Sequence, residues 1–268
     1  MILVWLFFRT GSGMAIHIRV VTPITTEGFR TAEDAIGLES EGVKVDFVHI
    51  DAGPASIECD FEIMLSQPAT AARIVEAERQ GADAVVIDCM GDPTLFAARE
   101  CVSIPVLGPM QTAMGVAAMM GHKFSVVTVL RRILPMIERQ AAVYGMSAKL
   151  ASARSVDIPV LELEKDLAAT KRALVAEARK AVVEDGADYI IFGCTGMLGC
   201  AEAVRQGLLD DGIDAPVIDP VPTAVNMAAA LVRSGLSHSK HAFQPPPRKA
   251  VAGYAGMGIG TENALAAE

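Results

Sequence analysis

The stretch GADAVVIDCMGDP (residues 81–93) and a second stretch, GADYIIFGCTGM (residues 186–197), organise the chain. Each consists of an acidic turn, a short run rich in Val and Ile, and a glycine-containing turn that carries a cysteine. A short uninterrupted apolar run predicts a fully buried parallel strand. Cys89 and Cys194 therefore follow the carboxyl ends of two equivalent strands, where open α/β sheets bind their ligands.

The repeat is wider than the two cysteine segments. The tripeptide VVT at residues 20–22 returns at residues 126–128, and the pattern P-V-[L/I]-x-P at Pro105 returns at Pro216. In both halves strand patterns alternate with helix patterns, which predicts parallel sheets with helices on both faces. We predict an α/β fold of two similar lobes, each a four-stranded parallel sheet flanked by helices. A pseudo-two-fold axis would relate the lobes and bring the two cysteine turns to a shared cleft.

The repeat also divides the chain. The first lobe is predicted to comprise residues 14–112 together with a closing helix at residues 222–236, and the second lobe residues 113–221. Residues 1–13 are interpreted as an extension outside the fold, with a cryptic secretion signal as the alternative, because their apolar run is too short to cross a bilayer. Residues 237–268 are rich in Pro, Gly and Ala. We expect an irregular tail there, either disordered or packed against a neighbouring subunit.

Capping residues predict where two helices begin. Ser66 and Pro68 predict that the helix before the first cysteine strand opens at these positions. Asp92 and Pro93 have N-cap and N1 character, which predicts the start of a helix shortly after Cys89.

Composition limits the classes of function. The chain has 268 residues, of which 51% are hydrophobic and 21% charged, a composition typical of a globular protein. Its formal net charge of −9, with no basic stripe, argues against nucleic acid as a partner. No apolar run is long enough to span a membrane. We expect a small-molecule substrate, with neither nucleic acid nor membrane as a partner.

The five cysteines do not form a disulfide framework, because their number is odd, and no C-x-x-C or H-x-x-x-H pair offers a metal site. A reduced, cytoplasmic setting fits this pattern. Free cysteines often act as small buried hydrophobes, and Cys59, Cys101 and Cys200 are interpreted in this way. Cys89 and Cys194 differ, because they occupy equivalent positions of the repeat and follow buried strands. Each also precedes a predicted helix N-terminus, where backbone N–H groups would stabilise a thiolate.

Two cysteines that face one substrate indicate acid–base chemistry. A nucleophilic hydrolase needs one cysteine and an activating histidine, and none of the five histidines occupies a comparable turn. A stereoinverting proton transfer instead needs two opposed bases. One thiolate removes a proton from a carbon beside a carbonyl, and the opposite thiol donates a proton to the other face. The sequence therefore predicts Cys89 and Cys194 as paired acid–base catalysts.

The motifs around both cysteines resemble a known family. DCMGDPTLFAARE (residues 88–100) with IPVLG (104–108), and FGCTGM (192–197) with PVIDPV (216–221), are similar to motifs of the aspartate/glutamate/hydantoin racemase superfamily. The resemblance is closest to the branch of hydantoin and allantoin racemases. It covers the chain from about residue 15 to residue 237 and implies a two-lobed fold with the active site between the lobes.

The resemblance carries expectations about the site. It implies that Cys89 and Cys194 are the two acid–base cysteines, that no cofactor and no metal is used, and that the protein forms a homo-oligomer. The threonines after the first strand could instead serve only as helix caps. The residues expected to contact the substrate are Thr22, Thr25, Met90, Gly91, Thr128, Thr195 and Gly196.

Departures from the family pattern bear on the substrate. Where the branch carries N-P-N-T after its first strand, this chain has T-P-I-T at residues 22–25, and where G-x-x-E follows the fourth strand it has G-P-M-Q at residues 108–111. Amino-acid racemases of the superfamily carry C-N-T and C-T-E motifs, whereas this chain has C-M-G and C-T-G. We therefore expect an uncharged ring, such as a 5-substituted hydantoin, or a monocarboxylate, rather than a free acidic amino acid.

Two other functions stay open at this point. Maleate cis-trans isomerases of the superfamily also use two cysteines, one of which attacks the double bond. Alternatively, the chain could bind a small ligand without catalysis, since the altered turn at residues 22–25 is where such a loss could begin. Arylmalonate decarboxylases lack the first cysteine, so the presence of Cys89 argues against that activity.

Overall fold

The computed structural model describes residues 15–247, so the predicted extension at residues 1–13 lies outside the described part. Eight strands form two four-stranded parallel sheets, ordered β2-β1-β3-β4 and β6-β5-β7-β8. The strands are β1 Ile16–Thr22, β2 Val43–His49, β3 Ala84–Ile87, β4 Val106–Leu107, β5 Phe124–Thr128, β6 Leu150–Ser155, β7 Tyr189–Phe192 and β8 Val217–Ile218. The second half thus repeats the strand order of the first, which confirms the predicted α/β fold of two similar lobes.

Helices follow the strands in both halves. They are α1 Ala32–Leu38, α2 Asp60–Arg79, α3 Leu95–Cys101, α4 Pro109–Met120, α5 Leu134–Val143, α6 Leu167–Val183, α7 Ala201–Asp210 and α8 Pro220–Arg233. Within residues 15–247, none of these helices is both long enough and apolar enough to cross a membrane.

The repeated GAD tripeptides have the same structural role in each lobe. The Asp83 carboxylate accepts a hydrogen bond from the backbone N–H of His17 at 2.9 Å, and the Asp188 carboxylate accepts one from Lys123 at 2.7 Å. Each acidic turn therefore ties the beginning of a buried cysteine strand to the beginning of the neighbouring strand. In the first sheet, β1 and β3 then pair in parallel and bring Val21 beside Ile87 near their carboxyl ends.

Two helices cross between the lobes. Helix α4 follows the first sheet, yet its buried Met110 and Met114 pack in the core of the second lobe. Helix α8 follows the second sheet, and its buried Val221 and Val225 pack in the core of the first lobe. The predicted lobe boundary at residue 112 falls inside α4.

Helix α2 begins at Asp60, not at Ser66, so the predicted start of this helix was wrong. Pro68 lies inside the helix, where it lacks the N–H that would reach the carbonyl four residues earlier. Two hydroxyls near this proline bond to the helix backbone: Ser66 donates to the carbonyl of Ile63 at 2.8 Å, and Thr70 donates to the carbonyl of Ser66 at 2.8 Å.

The predicted cap at Asp92 was also misplaced. Helix α3 begins at Leu95, and both Asp92 (φ 45°) and Thr94 (φ 61°) have left-handed backbone conformations in the turn before it. The Asp92 carboxylate caps α4 instead, where it accepts hydrogen bonds from the N–H groups of Met110 at 3.0 Å and Gln111 at 2.9 Å. The turn after Cys89 is therefore fastened to the next helix along the sheet.

The described part of the tail is irregular and packs against its own chain. The Lys240 ammonium donates to the carbonyls of Arg99 at 2.7 Å and Val102 at 2.6 Å, at the end of α3. The Phe243 ring stacks on the Phe96 ring, with centroids 6.3 Å apart. Up to residue 247 the tail thus packs on the helix that follows the Cys89 turn, and residues 248–268 of the predicted tail lie outside the described part.

Candidate active site

One cavity between the lobes receives both cysteine turns. Cys89 follows β3 of the first lobe and Cys194 follows β7 of the second, and both line the cavity. Most of the other lining side chains are apolar and come from both lobes: Ile24, Phe29, Ile57, Met90, Val129, Ile133, Met136 and Val160. A ligand in this cavity would therefore meet a sulfur atom from each lobe within a largely apolar wall.

The two cysteine turns have matching geometry. The Cys89 sulfur accepts a hydrogen bond from the Gly91 N–H at 3.3 Å, and the Cys194 sulfur accepts one from the Gly196 N–H at 3.3 Å. A Cβ atom at Gly91 would lie 2.9 Å from Cδ1 of Ile63. The absence of a side chain at this glycine thus leaves room for Ile63 beside the turn.

Burial controls the protonation of both thiols. Burial raises the pKa of the Cys194 thiol to about 12, although the Gly196 N–H and the Arg30 charge oppose the increase. Burial raises the pKa of Cys89 further, and the nearby Cys194 and the carboxylates of Asp92 and Asp88 add to the effect. Burial therefore favours the protonated form of both thiols at neutral pH.

The helix termini contribute less than the sequence indicated. Helix α3 begins only at Leu95, and Cys194 precedes a single 3-10 turn at Thr195–Met197. Cys194 is thus the N-cap residue of this short turn, whereas a further turn separates Cys89 from the beginning of α3. Each sulfur accepts a hydrogen bond from the backbone N–H two residues further along the chain.

A buried ion pair lies beneath the cavity. Arg30 binds the Asp88 carboxylate through two nitrogens, and its Nη2 also donates to the carbonyl of Thr195 at 2.7 Å. The Thr22 hydroxyl donates to the same carboxylate at 3.0 Å, and the Thr195 hydroxyl donates to the carbonyl of Asp88 at 3.1 Å. These contacts join the residue before Cys89 to the residue after Cys194.

Lobe 2 supports the Cys89 turn from the other side. The Gln140 amide donates to the carbonyl of Met90 at 3.0 Å, and the Tyr144 hydroxyl donates to the Asp92 carboxylate at 2.6 Å. Burial raises the pKa of Asp92 to about 6, even though the Tyr144 hydroxyl and two backbone N–H groups favour the carboxylate. Each cysteine turn is thus held by side chains of the opposite lobe.

The predicted substrate contacts fall into two groups. Met90, Gly91 and Thr195 line the cavity beside the cysteines, and Gly196 lies next to it through its N–H on the Cys194 sulfur. Other hydroxyls are used within the protein. Thr22 donates to Asp88, Thr25 to the carbonyl of Pro54 at 3.3 Å, and Thr128 to the carbonyl of Gly193 at 2.9 Å. Contact of these three threonines with the substrate stays a prediction.

Sequence reasoning missed several residues of the site. Cys59, interpreted as a core cysteine, lines the cavity at the N-cap of α2, and Glu58 lines it beside Cys59. Arg30 had no sequence signal, because it lies in an irregular segment before α1. Asp88 could have been found, since a carboxylate at the end of a fully apolar strand requires a partner. Within residues 15–247, no cluster of three His, Cys, Asp or Glu side chains could hold a metal ion.

Comparisons with known proteins agree with the geometry. The family model described as Asp/Glu/Hydantoin racemase matches residues 18–228. A hydantoin racemase of Rhizobium meliloti is 37% identical over 242 residues, which cover 89% of this chain and 98% of that protein. Among solved structures, an allantoin racemase from Klebsiella pneumoniae has a TM-score of 0.82 and 34% identity, covering 89% of this chain and 97% of that one. An allantoin racemase from Pseudomonas fluorescens has a TM-score of 0.82 and 37% identity, covering 88% and 100%.

Proposed function

This chain belongs to the Asp/Glu/hydantoin racemase family and is an isomerase of the racemase class, and from this premise we propose a specific reaction for it. The enzyme inverts the carbon next to the carbonyl of a 5-substituted hydantoin or a related ring, and Cys89 and Cys194 are its two acid–base groups. One observation carries the proposal: the two sulfurs line the same cavity from opposite lobes.

The proton transfers balance as follows. The thiolate of one cysteine removes the proton from the ring carbon, and the electron pair of that C–H bond moves onto the neighbouring carbonyl as an enolate. The opposite thiol then donates its proton to the other face of the carbon, which leaves that cysteine as the thiolate. In the reverse direction the two residues exchange roles. No group other than the two sulfurs has to gain or lose a proton overall.

The raised pKa of both thiols has two consequences for this reaction. Forming the first thiolate costs free energy, because burial disfavours the charged sulfur. Once formed, the thiolate is a stronger base than an ordinary one, which suits a weakly acidic C–H bond. The N–H groups of Gly91 and Gly196 are placed to stabilise whichever sulfur carries the charge.

The cavity favours an uncharged substrate. Its wall is largely apolar, and none of its lining residues is Lys, Arg or His. The charge of Arg30 is already matched by Asp88 beneath the wall. A dicarboxylate such as maleate would enter without a positive charge to balance it, and the comparisons do not favour a maleate isomerase or a non-catalytic relative either.

We also propose that the enzyme works without a cofactor, in the cytoplasm, as a homo-oligomer. The support for these three statements is the resemblance of its cysteine motifs to the family, together with the reduced cysteines, which form no disulfide among residues 15–247. Light scattering on purified protein measures the oligomeric state, and a monomer at micromolar concentration would contradict the last statement.

The reaction is tested with single enantiomers of 5-substituted hydantoins in heavy water. Chiral chromatography follows the loss of enantiomeric excess, and NMR follows deuterium at the ring carbon. Racemisation with one deuterium per inversion is expected, above the rate with the Cys89→Ala/Cys194→Ala double variant. If the wild-type protein and the double variant racemise all rings of the panel equally slowly, the proposed function is wrong.

A further inference from the structure

Glu58 places a carboxylate in the wall of the cavity. It is half-buried, directly precedes the N-cap residue of α2, and belongs to the first lobe. Its Oε1 accepts a hydrogen bond from the backbone N–H of Val160 at 2.8 Å, and Val160 lines the cavity from the second lobe. The Glu58 side chain therefore crosses the cleft that the substrate enters.

The contacts of Glu58 leave one oxygen available. Its own N–H donates to the carboxylate of Glu62 at 2.6 Å, which ties the residue to the first turn of α2. Within residues 15–247, its side chain accepts only the bond from Val160, so Oε2 is left to accept a bond from a ligand. The negative charge of Glu58 also lies close enough to Cys194 to raise the pKa of that thiol.

The charge of Glu58 is not balanced within the wall. The other carboxylate of the lining, Asp88, is satisfied by Arg30 and Thr22. The described lining residues include no cation that could pair with Glu58. A ligand with a carboxylate next to its reacting carbon would be repelled by the negative charge of Glu58. A neutral ring with N–H groups would instead donate a hydrogen bond to Oε2.

We propose that Glu58 is a specificity-determining residue, whose Oε2 accepts a hydrogen bond from a ring N–H of a cyclic ureide and whose charge excludes open-chain carboxylates. This inference rests on the proposed function, because it takes the hydantoin ring as the substrate. It adds to that function a recognition group for the ring nitrogen and a reason why the ring-opened acid is not bound.

The variant Glu58→Gln tests this role with little change in shape, since its amide oxygen can still accept the bond from Val160. The probes are a 5-substituted hydantoin, its N1-methyl and N3-methyl derivatives, and the N-carbamoyl amino acid formed by opening the same ring. The matched control is Asp60→Asn, an exposed carboxylate of the same segment that is not part of the cavity lining.

In Glu58→Gln we expect kcat/KM for the unmethylated ring to fall about tenfold, mainly through KM, because the amide NH2 that replaces Oε2 cannot accept a hydrogen bond from the ring N–H. The preference for the unmethylated ring over one of the two methylated rings should shrink by a similar factor. Inhibition by the N-carbamoyl acid should become about tenfold tighter, and Asp60→Asn should resemble the wild type in all three measurements.

The outcomes separate this inference from the proposed function. If the wild-type protein racemises hydantoins and Glu58→Gln keeps its ring preference and its weak inhibition by the acid, the role of Glu58 is wrong and the function stands. If the wild-type protein racemises no hydantoin, the function fails. Calorimetric titration of the ring and the acid into both proteins then decides the inference separately, since unchanged relative affinities would overturn it.

Discussion

Arg30 and Asp88 form an ion pair in which both hydrogen bonds measure 2.8 Å, although the two side chains are only 3% and 0% exposed. Two charges are rarely placed so far from water, because their desolvation costs several kcal/mol. The same guanidinium reaches the carbonyl of Thr195 in the second lobe. The pair therefore fixes the two cysteine turns relative to each other, which gives a reason for retaining it in the interior.

Replacing Arg30 with Met is expected to destabilise the fold by about 3–5 kcal/mol, because Asp88 is left as an uncompensated buried charge. The double variant Arg30→Met/Asp88→Leu should recover much of this loss, since it removes both charges. Urea unfolding at neutral pH measures both values.

Activity distinguishes positioning from simple stability in these variants. The double variant should remain folded yet racemise at least tenfold more slowly, because the bridge from Arg30 to Thr195 is absent. An active double variant would show that the ion pair contributes nothing to placing the cysteines.

Gly193→Ala is expected to destabilise the protein by roughly 1–3 kcal/mol, as overpacking in a core does. A Cβ atom at this position would lie 2.5 Å from Cβ of Thr128 and 2.9 Å from Cγ1 of Val126, so β5 and β7 would have to move apart. The neighbouring Cys194 would move with them. The racemisation rate of the folded variant should therefore also fall below that of the wild type.

Gly37→Ala is the matched control for this substitution. Gly37 lies in α1, and a Cβ atom there would meet nothing within 4 Å. Alanine should therefore leave stability unchanged or raise it by up to about 1 kcal/mol through its helix propensity. Thermal unfolding compares the two variants, and equal effects at both positions would contradict the packing argument.

The pH profile of racemisation should reflect the protonated thiols. Burial raises the pKa of Cys89 and brings that of Cys194 to about 12, so the thiolate fraction of the free enzyme grows with pH. The proposed reaction needs one thiolate and one thiol, and kcat/KM should therefore rise about tenfold per pH unit from pH 7 to 9. Thiolate absorbance of the Cys59→Ser/Cys101→Ser/Cys200→Ser variant follows the same titration directly. A plateau below pH 8 would show that one of the two thiols ionises more easily than its burial allows.

The parts of the site that the sequence predicted are those with a local signal. The strands before Cys89 and Cys194 are short apolar runs that begin at a GAD turn, and each pattern is complete within about a dozen residues. The internal repeat then implied that the two turns are equivalent, and the strand order of the two sheets agrees with it.

The parts that were missed depend on contacts between distant residues. Arg30 precedes its partner Asp88 by 58 positions, and no pattern near Arg30 distinguishes it from an exposed arginine. Asp92 stands where a helix cap is usual, yet it caps a helix 18 positions further along the chain. In both cases the tertiary structure determines which polar group pairs with the buried charge, and the local sequence does not predict this partner.

Asp219 should make the stability of the protein depend on pH. Its Oδ2 accepts a hydrogen bond from the Gly199 N–H at 2.8 Å, while its buried Oδ1 has no partner within residues 15–247. Burial raises the pKa of this carboxyl from an ordinary value of 3.8 to about 6. Between these two values the unfolded chain releases the proton first, so stability falls as pH rises from about 4 to 6 and levels off above the folded pKa.

Asp219→Asn is expected to remove this dependence, because the amide does not ionise. Relative to the wild type, the variant should gain up to about 3 kcal/mol between pH 4 and pH 7, at 1.36 kcal/mol for each pKa unit of the shift. Urea unfolding at the two pH values measures the gain, with Asp214→Asn at an exposed position as the control. The NH2 group of the amide also needs a partner, which changes the stability of the variant equally at both pH values, so the difference between the two pH values is the decisive quantity. If the free energy of unfolding of Asp219→Asn differs from that of the wild type by the same amount at pH 4 and pH 7, Asp219 ionises normally in the folded protein, despite its buried oxygen.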